Sequence, residues 1–338
     1  MREAQTDLKH IGRLRQLIIY LNKLFRLFIL QSDWKVLPMS AIIAAMVSLA
    51  VGRGLFKTME GTFQGTFALT CVCIWNGFFN SIQSICRERA IIKREHRAGM
   101  HITSYVGAHV IYQALLCAAQ SVITIFVLGV TGVDYPAERV LSSNVGEQMA
   151  QHGIDAASGG PVYAMQFTTE LFITMFLITF AADLLALMIS AIVHSEMAAM
   201  TVMPFVLIIQ LVFSGFIALP ASFSDISDLM LSKWGVQGLC VISDYNSLPA
   251  VMIWNRMSSG GDRIDVGGGV TVKDIMNIVE EQGMRDTVLQ KLSEANSRED
   301  FVASVQNLAE SWRYLLLLGV VFAIVTIVFL EFIDRDKR

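Results

Sequence analysis

Six uninterrupted apolar stretches constrain this chain more than any motif does. Residues 36–56, 63–85, 105–130, 171–193, 197–219 and 314–330 each come close to the ~20 residues that a helix needs to cross a bilayer. In hydrocarbon every backbone polar group must find its partner within the protein, which leaves helices and closed barrels as the spanning structures. The six stretches are apolar all round and separated by very unequal loops, whereas a barrel alternates over short, regular segments. Six helical spans are therefore predicted. Composition agrees: 54% of the 338 residues are hydrophobic and 16% are charged, against a charged share of about 25% in soluble domains.

Basic residues give the expected orientation. Lys9, Arg13, Arg15, Lys23, Arg26 and Lys35 precede the first span, and Arg87, Arg89, Lys93, Arg94 and Arg97 lie between the second and third. Positive charge favours the cytoplasmic side. The turn His194, Ser195 and Glu196 between the fourth and fifth spans is very short, and Arg335, Lys337 and Arg338 close the chain. An even span count then puts both termini in the cytoplasm. The first 35 residues are charged throughout and carry no cleavable apolar core, so the start reads as mature sequence and not as a signal peptide. Of the five cysteines, Cys71, Cys73, Cys86 and Cys117 fall in or beside spans and only Cys240 in an outer region, so no disulfide framework is expected outside. The formal charge of −3 comes without a basic, aromatic-interleaved stripe, so no nucleic-acid partner is expected. The outer loops carry no Asn-x-Ser/Thr acceptor, which points to the plasma (cytoplasmic) membrane of a prokaryote, crossed several times.

The predicted organisation follows. Residues 1–35 form a cytoplasmic amphipathic connecting helix, with Leu14, Leu17, Ile18, Leu21, Leu24, Phe25 and Phe28 at helical spacing among basic residues. It reads as a surface anchor on membrane lipid, as a contact for a partner ATPase, or as both. Residues 36–130 hold spans one to three, 131–170 an irregular outer loop, 171–219 spans four and five, 220–312 an acidic extracellular module, and 313–338 span six with a cytoplasmic tail. Within the module, 272–281 and 298–312 have helical spacing, with Thr271 and Ser297 as N-caps.

A phosphate-cradling loop would place glycines where backbone amides meet phosphate and a Lys on the terminal phosphates. The nearest string, from Gly52 to Lys57 and Thr58, lacks the Gly before Lys and sits at a membrane exit. Zinc-protease and Ser-hydrolase signatures are absent, and the six histidines are scattered. The chain reads as a non-enzyme.

The segment from Glu88 to Tyr105 joins the second and third spans and mixes Arg87, Glu88, Arg94, Glu95, His96 and Arg97 ahead of Gly99, Met100, Ser104 and Tyr105. Positive-inside topology explains the cations and leaves both acids unexplained. Two acids seven residues apart, a Gly-Met step and a Ser-Tyr step into the third span resemble the membrane domain of the ABCG (White/pleiotropic drug resistance) type 2 permeases of ABC transporters. Phe213, Ser214, Gly215 and Phe216 at the end of the fifth span add to the likeness, as does the overall layout. His101 stands where that family often has Tyr, and Lys233-Trp234-Gly235 replaces its usual run in the last outer loop. The resemblance implies an all-α polytopic exporter fold with a cytoplasmic coupling helix at about 87–104 and an extracellular helical module. It implies coupling to the ATPase through Glu88, Arg94, Glu95, His96, Arg97 and Gly99. ATP and Mg would be bound by a separate ATPase subunit, and a second copy or paralogue would complete the path.

The resemblance also implies that the second and fifth spans line that path. On the second, Asn76, Phe79, Asn80 and Gln83 share one helical face; on the fifth, Met203, Leu207, Gln210 and Ser214 form a stripe, with Pro204 as a kink. The amides could face a cavity or serve as hydrogen-bonding glue between helices. Asp183, deep in the fourth span, must be protonated, paired or facing water. The expected function is ATP-powered export of a lipid, peptide or hydrophobic small molecule; the alternative is a receptor or assembly scaffold with an external sensing module.

Overall fold

The computed structural model describes residues 12–30, 33–135, 166–217, 224–261, 265–267, 269–285, 288–289 and 298–332. The expected loop at 136–165, the Ser297 cap, the end of the fifth span at 218–219 and the tail at 333–338 lie outside the described residues.

Helix α1 (Arg13–Leu30) is followed by a 3-10 turn, Asp33–Lys35, and α2 (Val36–Val51). Next come α3 (Met59–Ser81), α4 (Ser84–Arg97) and α5 (Ile102–Val130). After the undescribed stretch come α6 (Phe167–Ile192), α7 (Glu196–Val212), the short α8 (Ser224–Asp228), α9 (Leu231–Ile242) and α10 (Leu248–Gly260). A small antiparallel ladder, β1 (Asp265–Gly267) with β2 (Val270–Thr271), leads into α11 (Val272–Glu281). A 3-10 turn, Glu299–Phe301, precedes α12 (Val305–Glu331). Among the described residues α5, α6 and α12 are long and apolar enough to cross a membrane, and α2 and α7 are shorter apolar helices.

Helix α6 sits at the centre, packed on α3 and α12, with 18 of its 26 residues buried. The packing reverses the pattern of a water-soluble bundle. Helix α2 buries Ser40, Ala44 and Ser48 and exposes Met39, Ile42, Met46 and Leu49. Small residues on the inner face let backbones approach while large apolar ones meet lipid, as expected where hydrocarbon is the solvent. Gly77 is the closest such approach: a Cβ there would lie 2.4 Å from the Thr179 carbonyl oxygen, so α3 and α6 touch at this depth only because the side chain is missing.

Local signals set several boundaries. Thr58, Ser195, Thr271 and Ser304 each accept a hydrogen bond from an amide of the first turn and start α3, α7, α11 and α12. Thr271 and Asp274 form a capping box, as expected from the sequence. Residues 298–312 do not form the separate helix that their spacing suggests. Ser304 starts α12 instead, so that run's second half extends the last long helix outward. The elbow helix begins at Ser84, before the expected 87, and ends at Arg97; residues 102–104 already belong to α5.

One element of the expected outer region is not peripheral. Helix α9 buries eleven of its twelve residues against α3, α6 and α12. At ~18 Å it is too short to cross a bilayer, so it is a half-helix set into one end of the bundle.

Candidate functional site

The elbow between α3 and α5 is built from three faces of α4. One is apolar: Ile85, Cys86 and Ile92 are buried. Ser190 of α6 accepts hydrogen bonds from the amides of Ile85 and Cys86, both at 3.1 Å, which satisfies the first turn of α4. Arg89 donates to the carbonyls of Ala191 (2.8 Å) and Val193 (3.3 Å), a cation at the C-terminal end of α6.

The second face carries the two acids and meets α1. Lys23 pairs with Glu88 at 2.9 Å, and the Tyr20 hydroxyl donates to Glu95 at 2.8 Å. Burial, and after it the Glu95 carboxylate, pushes the Tyr20 phenol well above its ordinary range. The turn that follows is held by the same helix. Gln16 donates to the Gly99 carbonyl at 3.3 Å and accepts from the His101 amide at 2.9 Å, and Ser104 donates to the Arg13 carbonyl at 3.0 Å. Gly99 has φ of +99°, a left-handed conformation that costs glycine nothing and other residues about 1 kcal/mol or more.

The third face is exposed and basic: Arg87, Ile91, Arg94 and Arg97. The six elbow residues singled out in the sequence thus divide. Glu88 and Glu95 are turned to α1, Gly99 shapes the turn, Arg94 and Arg97 are exposed, and His96 is half-buried. Gln16, Tyr20, Lys23, Arg89 and Ser190 belong to this site without any local sequence signal. Their partners lie 65 to 105 residues away, beyond the reach of any local spacing.

A polar network crosses the middle of the bundle. Asn80 and Gln120 exchange side-chain hydrogen bonds at 2.8 and 3.1 Å, joining α3 to α5. Gln113 donates to the Ser81 hydroxyl at 2.8 Å, which donates to Asp183 at 2.7 Å and so reaches α6. Asp183 is fully buried: one carboxylate oxygen accepts from Ser81 and the other has no hydrogen-bond partner among the described residues. Asn76 is buried, Phe79 is exposed and Gln83 is half-buried. Phe79, Asn80 and Gln83 line a cavity of about 150 Å³ shared with α1 and α5, which no α7 residue lines.

The α7 stripe lies apart from that cavity. Met203, Leu207, Gln210 and Ser214 are all buried. The Gln210 side-chain oxygen accepts from the Ser232 amide at 3.2 Å, and its backbone carbonyl accepts from the Ser232 hydroxyl. The opposite face of α7, with Phe205, Ile208 and Ile209, is exposed, as are Trp75 and Phe79 on α3.

The chain thus has a helical core around α6, a lateral amphipathic helix clasping a charged elbow, and small residues where its helices cross. The sequence profile of the ABC-2 type transporter family matches residues 15–149 and 154–243, a span from α1 through the elbow to the end of α9. The chain belongs to the ABC-2 type transporter family. No curated protein matches it. As an ABC-2 member it is a multi-pass membrane subunit of an ABC transporter, in a family of transport domains that are not themselves catalytic and typically work with an ABC ATPase. The elbow and the Asn80–Gln120 and Ser81–Asp183 contacts all fall within the matched blocks, whereas α10, α11 and α12 lie beyond them.

Proposed function

We propose that this ABC-2 permease is a six-span, ABCG-like half-transporter that pairs with a second copy or paralogue. It exports a lipid, peptide or hydrophobic small molecule with ATP and Mg bound by a separate ATPase subunit. In this reading both termini and the elbow are cytoplasmic, in a prokaryotic plasma membrane, as the basic residues before α2 and along α4 favour. Helices α2 and α7 complete the span count with α3, α5, α6 and α12; the two short ones cross with help from their flanking turns.

The observation that carries the proposal is the division of faces on α4. A helix whose acids are bound to α1, at 2.9 Å for Lys23–Glu88 and 2.8 Å for Tyr20–Glu95, moves with α1 when pushed. Its contact with α6 through Arg89 and Ser190 passes that push to the central helix. The exposed basic face, with Arg94 between Arg87 and Arg97, meets an acidic cleft on the ATPase. Docking thus falls to the cations and transmission to Glu88 and Glu95, with His96 and Gly99 shaping the turn. The transport path follows from pairing: the exposed Trp75 and Phe79 of α3 and Phe205 and Ile208 of α7 line it from each copy, while the buried Asn76, Met203, Leu207, Gln210 and Ser214 support that wall from behind.

The test is Glu95→Lys in liposomes containing the permease and its ATPase. ATP hydrolysis should continue while cargo moved per ATP falls by about tenfold, the scale of one lost charge-assisted contact. Unchanged transport per ATP would sink the transmission role. Arg94→Glu should instead weaken capture of the ATPase by the permease in detergent.

A further inference from the structure

Asp183 lies on the central helix with no exposed surface, and its surroundings are neutral. Helix α3 brings it the Ser81 hydroxyl, 2.7 Å from Oδ1, and the close backbone approach at Gly77. Helix α5 brings the Cys117 thiol and, through Ser81, the Gln113 amide. Among the described residues no charged side chain of α4, α7, α9 or α12 acts on it. An ionised carboxylate there is a buried charge without a counter-ion, far less stable than the neutral acid.

The hydrogen bonds show which oxygen carries the proton. Gln113 Nε2 lies 2.8 Å from Ser81 Oγ and 3.5 Å from the Asn80 carbonyl oxygen. A carbonyl only accepts, so this end of the amide is its NH₂ group, which donates to Ser81 as well. The Ser81 hydrogen is then committed to Asp183 Oδ1. That makes Oδ1 the carbonyl oxygen of the acid and Oδ2 its hydroxyl. Two groups on either side of one serine are left unmet: the Oδ2–H donor and the Gln113 Oε1 acceptor.

Gln113 also lines the cavity of about 150 Å³ beside α1, together with Ser84 and Glu88 of the elbow helix, Asn80 of α3 and His109. His109 precedes Gln113 by four residues, on the same face of α5. It is 3% exposed, and neither of its ring nitrogens has a hydrogen-bond partner. Apolar cavities stay dry, whereas a space of this size bordered by unpaired polar atoms has room and partners for several waters.

We propose that Asp183 is a proton-binding site in the middle of the bundle, held as the neutral acid and exchanging its proton with water that enters from the elbow side past His109 and Gln113. The exchange balances: Oδ2–H gives its proton to one water and takes a proton back from the next, with Gln113 Oε1 holding that water in place. Loss of the proton would put an unpaired charge where α3 and α6 touch at Gly77, so the bound proton is what lets these helices stay in contact. The site requires neither cargo nor ATPase, and it stands whether or not the transport path proposed above is right.

Infrared spectroscopy of the full chain in nanodiscs tests this. Wild type minus Asp183→Asn should show the carbonyl stretch of a protonated carboxylic acid, a band that a carboxylate does not give. On transfer to D₂O the band should shift well before the helix amides exchange. In His109→Leu the shift should slow by about fivefold or more, the scale of one lost hydrogen bond to water. His109→Gln keeps a polar group at that place and should exchange at the wild-type rate. Absence of the acid band, or failure of the neutral Asp183→Asn variant to fold, would mean that Asp183 is charged and would overturn the proposal. A band that shifts only together with the amides would remove the water route. An unchanged rate in His109→Leu, or equal slowing in both His109 variants, would equally overturn the entry past His109.

Discussion

The two ends of the bundle are held by different forces. At the elbow end, α4 buries only Ile85, Cys86 and Ile92, and its outer turns are fixed by polar contacts between partly exposed partners: Lys23 with Glu88, Tyr20 with Glu95, and Gln16 with the Gly99 turn. At the far end, α9 is fixed by packing. The Trp234 ring stacks on Tyr314 with centroids 3.9 Å apart and planes 8° from parallel, while its N–H donates to the Asp228 carbonyl at 2.8 Å. Gly235 seats the helix on α3: a Cβ there would lie 2.8 Å from a methyl of Thr70. Tyr245 and Phe301 meet edge to face just beyond. Half-exposed ion pairs contribute about 0–1 kcal/mol each and weaken with salt, whereas a buried aromatic contributes several times more. The difference separates an end that can be moved from an end that anchors.

The largest expected effect tests the anchor. Trp234→Ala removes a stacked, hydrogen-bonded ring from a buried half-helix and should destabilise the protein by about 3–5 kcal/mol, the range for large aromatic truncations. Unfolding in detergent, followed by fluorescence or loss of monodispersity, reads it directly. A loss below about 1 kcal/mol would mean that α9 rests on the bundle without holding it, and the contrast between the ends would disappear.

Next in size is the elbow. Tyr20→Phe deletes one hydrogen bond to a carboxylate and should cost about 1 kcal/mol. Its pH dependence distinguishes it from a packing defect. Because the phenol is raised in the folded state, by burial first and Glu95 second, the folded protein favours the protonated form. That stabilisation is complete below the ordinary tyrosine range and is lost as pH rises from about 10 towards the raised value. Wild-type unfolding temperature should therefore drop more steeply than that of Tyr20→Phe over this alkaline window. Parallel curves would show that the Tyr20 phenol is not raised in the folded state.

The same contrast explains what the sequence reveals. An apolar run is a property of its own residues, so the positions of α2, α3, α5, α6, α7 and α12 follow from hydropathy alone, as does the Thr271 cap from its neighbour Asp274. The elbow is visible because Glu88 and Glu95 stand where topology asks only for cations. Their partners are not visible: Tyr20 and Lys23 are separated from them by 75 and 65 residues, and nothing local pairs them. Helix α9 escapes for another reason. Its twelve residues are too few for a span and sit in an acidic stretch, so hydropathy assigns them to the outside. The usable signal is Gly235 and Gly238, three apart beside Trp234, a small-residue face suited to close helix contact. The α7 stripe is legible as a set, but its direction depends on Ser232 of α9, which binds Gln210.

The smallest effect lies between the two ends, where the polar network is neither exposed nor apolar. Asn80 and Gln120 satisfy each other with two bonds, at 2.8 and 3.1 Å, the arrangement expected of hydrogen-bonding glue between helices. In membrane proteins such pairs contribute on average about 0.6 kcal/mol and at most about 1.7, because a partly unfolded chain in lipid finds other partners. A double-mutant cycle with Asn80→Leu and Gln120→Leu should give a coupling in that range, with each single variant costing more than the double, since each alone strands one buried amide. A coupling near zero would mean that water or cargo competes for these amides and that the α3–α5 face opens during transport. A coupling at the upper end would make the middle of the bundle a third fixed region and confine motion to the elbow side.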